Sequence, residues 1–156
     1  MSGTLYGIGL GPGDPELLTL KAVRILSNVP AIAFPVPDSG HSMARAIAAP
    51  YLRPGLAEIG FGLCMRIDSA PGQAAYDDAA DAIAARLQGG EDVALLCEGD
   101  PFFYGSFLYL FERLAGRFRV DIVPGISSPM AAAAAMRTPP VSYTHLRAPR
   151  DRQKSR

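Results

Sequence analysis

VALLCEGDPFFYGSFLY, residues 93–109, changes character in its middle: the apolar run from Val93 to Cys97 stops at Glu98-Gly99-Asp100-Pro101, and an aromatic, helix-compatible segment follows. An unbroken apolar run is what a strand covered on both faces of a parallel sheet requires. Gly99 lets the backbone turn sharply, and Pro101 removes an amide donor and ends the extended run. Open α/β sheets bind ligands beyond the carboxyl ends of their strands, which places Glu98, Gly99, Asp100 and Phe103 at a candidate binding edge. The same residues also suit a plain strand-to-helix loop in which Asp100 is a cap.

Upstream, Thr4 to Leu10 reads as a short apolar strand broken by Gly11-Pro12-Gly13-Asp14-Pro15. A helix is expected next, with Asp14 as cap, Pro15 in its first turn, and Leu17, Leu18, Leu20, Ala22, Val23, Ile25 and Leu26 as its apolar stripe. Ala31 to Val36 reads as a second buried strand, and the pair with its helix makes a right-handed βαβ unit. Further helices are expected at 40–51 and 73–88, the latter with Ala74, Ala75, Ala79, Ile83, Ala84 and Leu87 inside and Gly89-Gly90 as its stop. Leu56 to Ile67 is a weaker extended stretch. Downstream come a helix over about 105–115, a strand over 118–123 and a helix over 127–136 dipping into the strand ends. Strands alternating with helices in this way imply an α/β fold, a doubly wound and mostly parallel sheet.

The 156 residues are 49% hydrophobic and 19% charged, enough to bury one sizeable core. Before Tyr143 there are 10 basic and 14 acidic residues, whereas the last fourteen carry five basic and one acidic. A mildly acidic body gives no electrostatic footprint for nucleic acid. Cys64 and Cys97 lack metal-ligand spacing and read as reduced core residues, with no metal site expected. His41 and His145 read as surface histidines. No leader-like segment and no membrane-length apolar run is present, so a cytoplasmic protein without a membrane partner is expected.

Three bends at strand ends, near Pro12, Asp100 and Ser127, converge on one rim if the sheet is parallel. Together they offer backbone amides, two hydroxyls, a carboxylate and the flat wall of Phe103. The glycines at 7, 9, 11 and 13 do not make a dinucleotide fingerprint, because the third glycine would fall on Pro12 or Asp14. No Gly-Lys pair exists for a P-loop. A tight structural turn and a nucleoside-binding turn both remain open at this first strand end.

Four segments carry a resemblance: GIGLGPGDPELLTLKA at 7–22, ARAIAAPYL at 44–52, CEGDPFFYGSFLYLFERL at 97–114 and VPGISS at 123–128. They resemble the tetrapyrrole (corrin/porphyrin) methyltransferase family over about residues 3–140. GDPFFYGSFLYL is similar to the branch that methylates C20 of precorrin-2 in cobalamin biosynthesis. The resemblance implies S-adenosylmethionine as cofactor, held between an amino-terminal α/β domain and a second domain, usually in a homodimer. It implies cofactor contacts from Pro12, Glu98, Gly99, Asp100, Phe103, Ser127 and Ser128, and a tetrapyrrole substrate, precorrin-2 or cobalt-factor II. It carries over no catalytic acid or base: where some relatives have an aspartate just after the second strand, this chain has Phe34-Pro35-Val36-Pro37.

The family's pattern divides the chain into an α/β domain at 1–124, the start of a second domain at 125–142, and a basic tail at 143–156 that does not resemble the family's continuation. The chain is therefore expected to be truncated, with much of the second domain missing and activity lost. Against the methyltransferase stand another methylase of the same pathway and a non-catalytic nucleotide-binding or interaction module.

Overall fold

The structure is a computed structural model, and it describes residues 1–62 and 70–141. Five strands, β1 (Thr4–Gly9), β2 (Ala31–Val36), β3 (Ala57–Gly62), β4 (Val93–Cys97) and β5 (Arg119–Val123), pair in parallel in the order β3-β2-β4-β1-β5. All five residues of β4 are buried, as the central place of an apolar strand demands. β5, at the edge, buries only Val123.

Five helices cover the sheet or follow it: α1 (Leu20–Leu26), α2 (Met43–Ala48), α3 (Ala70–Gln88), α4 (Phe107–Leu114) and α5 (Ser128–Met136). From β1 the chain moves toward β3, and from β3 it moves back toward β5. Right-handed crossovers therefore place α1 and α2 on one face and α3 and α4 on the other. Two apolar clusters confirm this division. Ala22, Leu26, Ala44, Ile47 and Ala48 pack against Ile8, Ile32, Ala94 and Leu96. Tyr76, Ile83, Leu87, Phe107, Leu110 and Leu114 pack against Leu5, Ala33, Val93 and Leu95 on the opposite face. Each large side chain so buried contributes about 1.5–3 kcal/mol, and the sheet is doubly wound.

Several expected boundaries shift for local reasons. The first helix is two pieces: a 3-10 turn at Pro15–Leu17 capped by Asp14, whose Oδ1 accepts from Glu16 N at 2.9 Å, and then α1. Leu18 and Thr19 are extended, and Thr19 caps α1 by accepting from Ala22 N at 3.1 Å. Leu20, expected in the stripe, is consequently 89% exposed. Gly40 closes a turn onto Pro37 O, so α2 waits for the Ser42 cap. In α3 the inward face runs through Tyr76, Ala79, Ala80, Ile83, Ala84 and Leu87. Ala74 is exposed, since it lies off that stripe. α5 does not dip into the strand ends, and none of its residues is buried. Cys64, the 63–67 part of the third extended stretch and the tail from 142 lie outside the described residues.

Candidate functional site

Because β1 sends its chain to one face and its neighbour β4 sends its chain to the other, the topological switch point lies between their carboxyl ends. There the two bends are stitched together. Gly11 N donates to Gly99 O at 3.2 Å, and Gly99 N donates to Gly11 O at 2.7 Å. Both residues have positive φ, +75° and +69°, a region that strains residues bearing a Cβ by about 1–2 kcal/mol.

The bend after β5 closes over β1 from the other side. A Cβ on Gly9 would stand 2.4 Å from Gly125 N and 2.9 Å from Gly99 O, so only glycine admits this approach. Asp100 joins the outer two bends: its Oδ2 accepts from Gly125 N at 3.0 Å and its Oδ1 from Phe102 N at 2.9 Å. The three bends expected near Pro12, Asp100 and Ser127 thus meet at one rim.

The seven candidate residues fall into two groups there. Pro12, Gly99, Asp100 and Ser127 are half-buried among the bends, whereas Glu98 and Ser128 are exposed. Phe103 is 47% exposed and turns its ring edge-on to Tyr104, with centroids 5.0 Å apart. Two groups expected to face a ligand are already engaged, namely both Asp100 oxygens. Among the described residues the amides of Gly13, Ile126 and Ser127 find no acceptor, and the Ser127 hydroxyl makes no bond to α5. A Cβ on Gly99 would project toward Ser127, 3.9 Å from its Cα. Free amides and a hydroxyl beside that space are a donor set that fits the polar groups of S-adenosylmethionine.

Burial pushes the Cys97 thiol far up, and the Asp100 and Glu98 carboxylates push it further. It stays protonated, its Sγ set against Leu95 O at 3.6 Å, so it offers no thiolate nucleophile to the site. Motif reading passed over Asp38, an exposed carboxylate two residues beyond β2 on the same rim. Its place two residues past the second strand, after Pro37, was the available signal. Tyr104, 97% exposed with φ +55°, was also missed, and nothing in its residue type foretold that backbone.

A shallow groove of about 210 Å³ lies elsewhere, lined by Tyr6, Arg24, Ile25, Asn28, Val29 and Asp92. It is near the amino ends of the strands, and the Asp92 carboxylate there already accepts from Thr4 N at 2.7 Å. We regard the carboxyl rim as the candidate site, because there the bends after β1, β4 and β5 converge at the topological switch point. Among the described residues no cluster of His, Cys, Asp and Glu could hold a metal ion, and no helix is long and apolar enough to cross a membrane.

Residues 4–154 match the family of Tetrapyrrole (Corrin/Porphyrin) Methylases. The cobalamin biosynthesis protein CobIJ of Mycobacterium tuberculosis is 47% identical over 148 residues, covering 90% of this chain and 29% of its own length. A precorrin-2 C(20)-methyltransferase of a Sinorhizobium species is 41% identical over 134 residues, covering 81% of this chain and 55% of its own. The crystal structure of a uroporphyrin-III C-methyl transferase from Thermus thermophilus, complexed with S-adenyl homocysteine, superposes with a TM-score of 0.60. It is 26% identical and covers 84% of this chain and 48% of its own. The chain therefore spans about half, or less, of the length of these relatives.

Proposed function

The chain belongs to the tetrapyrrole (corrin/porphyrin) methylases, and from that premise we propose that it forms the cofactor-binding half of an S-adenosylmethionine-dependent C-methyltransferase. The acceptor is precorrin-2 or its cobalt-containing counterpart, methylated at C20 in cobalamin biosynthesis. The observation that supports this reading is the meeting of three bends at the β1–β4 switch point, where Gly11 and Gly99 pair and Gly125 packs on Gly9. Likeness to the Sinorhizobium enzyme, at 41% identity, supports the choice of acceptor.

Pro12, Glu98, Gly99, Asp100, Phe103, Ser127 and Ser128 line the proposed cofactor site, with Asp100 contributing its main chain. The free amides of Ile126 and Ser127 would donate to the ligand's polar groups, and Phe103 would cover an apolar face. S-adenosylmethionine, once bound, supplies a methyl group already activated by its sulfonium. The work left to the protein is placement and exclusion of water, which accounts for much of the acceleration in such a transfer. A cytoplasmic homodimer goes with this reading.

Likeness to the uroporphyrin-III enzyme favours a second reading, a methylase acting at another point of tetrapyrrole assembly. The two separate on product. The chain is extended to its relatives' length with the second half of the Sinorhizobium enzyme, then incubated with methyl-labelled S-adenosylmethionine and each tetrapyrrole. The expected product is precorrin-2 carrying one labelled methyl at C20. Labelled uroporphyrinogen, or a methyl at another ring carbon, would replace the first reading by the second.

A further inference from the structure

β4 and β5 are not neighbours, since β1 lies between them. Their bends nevertheless touch. Asp100 reaches across the end of β1 to accept from Gly125 N at 3.0 Å, and it holds its own loop by accepting from Phe102 N at 2.9 Å. The crossing is open only because Gly9, beneath it, has no side chain: a Cβ there would lie 2.4 Å from the same Gly125 nitrogen. No other side chain among the described residues hydrogen-bonds the bend at 124–127.

From this geometry we infer that Asp100 is a positioning residue: its carboxylate sets the gap between the Gly99 bend and the Ile126–Ser127 amides, and it does not itself hold the ligand. The inference rests on the proposed cofactor site and assigns a different task to one of its members. A carboxylate that accepts two backbone amides is a strong local tie, because hydrogen bonds to a charged acceptor exceed neutral ones. With Asp100 engaged in this way, ligand selection passes to main-chain groups after β5, whose direction the carboxylate fixes.

The test uses the uniformly ¹⁵N-labelled chain and its Asp100→Asn variant, with S-adenosylhomocysteine and its 3′-deoxy analogue as probes. In the variant, exchange of the Gly125 and Phe102 amide protons is expected to quicken about tenfold or more, the scale of a lost charged hydrogen bond. Amides of α3 should keep their rates. The initial slope of shift against ligand concentration should fall to about a third or less, and by the same factor for both probes. Unchanged Gly125 exchange overturns the inference. So does a loss confined to S-adenosylhomocysteine, because that dependence on a ribose hydroxyl would make Asp100 a direct contact. Should the wild-type chain show no shift at the bends with either probe, the cofactor reading fails, and the exchange rates alone still decide whether Asp100 is the clamp. An Asp77→Asn variant, which removes the 2.7 Å tie to Arg113 on the α3–α4 face, controls for general loosening and should leave Gly125 exchange unchanged.

Discussion

α3 and α5 are both alanine-rich helices, yet they differ in what covers them. α3 runs for 19 residues and lays Tyr76, Ile83 and Leu87 against the sheet, each fully buried. α5 runs for nine residues without burying one, and it leaves Met130 and Met136 in solvent at 52% and 71% exposure. The body of the fold thus carries its own partners, and the segment beyond β5 does not. Propensity alone favours a helix at 128–136, but packing is what normally stabilises one so short.

The largest effect should come from the body. Ile83→Ala should cost about 2–5 kcal/mol, the range for emptying a buried aliphatic site, as read by urea denaturation. Met136→Ala in α5 should change stability by no more than about 0.5 kcal/mol, as exposed sites do. Equal costs at the two positions would break the contrast between the helices.

At the junction of the two regions, Gly9→Ala must force Gly125 away. Overpacking of this kind costs about 1–3 kcal/mol, and the variant should also lose any response of the 125–128 amides to S-adenosylhomocysteine. A variant that keeps wild-type stability and response would show that the bend over β1 is not close-packed.

Exposed apolar side chains in the β4–α4 loop and on α5 give the next effect. Phe102, Tyr104, Met130 and Met136 are all more than half exposed, and sedimentation should show the chain self-associating as its concentration rises. Met130→Glu together with Met136→Glu should suppress that association without altering the unfolding midpoint. A clean monomer at high concentration before any substitution would contradict this.

Much of the fold was legible because it rests on periodicity and punctuation. Val93 to Cys97 announced a central strand, Gly89-Gly90 marked the end of α3, and the strand–helix alternation implied the doubly wound sheet. What escaped reading depends on the tertiary surroundings. The break at Leu18-Thr19 comes from a second cap inside an unbroken apolar stripe, so the pattern could not reveal it. The place of Tyr76 on the inward face, in preference to Ala74, is settled by rings packed nearby: Phe61 at 6.1 Å and Tyr109 at 5.2 Å. At the rim, the glycines and the Gly-Asp-Pro turn identified the bends. The engagement of Asp100 with Gly125 joins residues 25 positions apart, and no local pattern encodes it.

Among the changes within the body, the smallest effect belongs to its surface. Arg45 on α2 donates to Glu58 on β3 at 2.8 and 3.2 Å, and this hydrogen bond holds the Glu58 carboxyl below its ordinary range and raises Arg45. A depressed carboxyl contributes stability above its unfolded pKa of about 4.3, and that contribution is lost as pH falls through the lower folded value. The raised Arg45 acts only at strongly alkaline pH. Both side chains are more than a third exposed, so Glu58→Gln should cost no more than about 0.5–1 kcal/mol at pH 7. It should also flatten the acid limb of a stability–pH profile. A larger loss would mean that surface ties, rather than the two apolar clusters, carry the body.

Whether the rim where β1, β4 and β5 end receives an adenosyl ligand is decided by titrating S-adenosylhomocysteine into the ¹⁵N-labelled chain and following every backbone amide. Shifts should concentrate at 11–14, 98–103 and 125–128, and they should not be reproduced by equal concentrations of ATP or NAD. Silence at those amides, or shifts gathered instead around Tyr6, Arg24 and Asn28 at the other rim, would contradict the assignment.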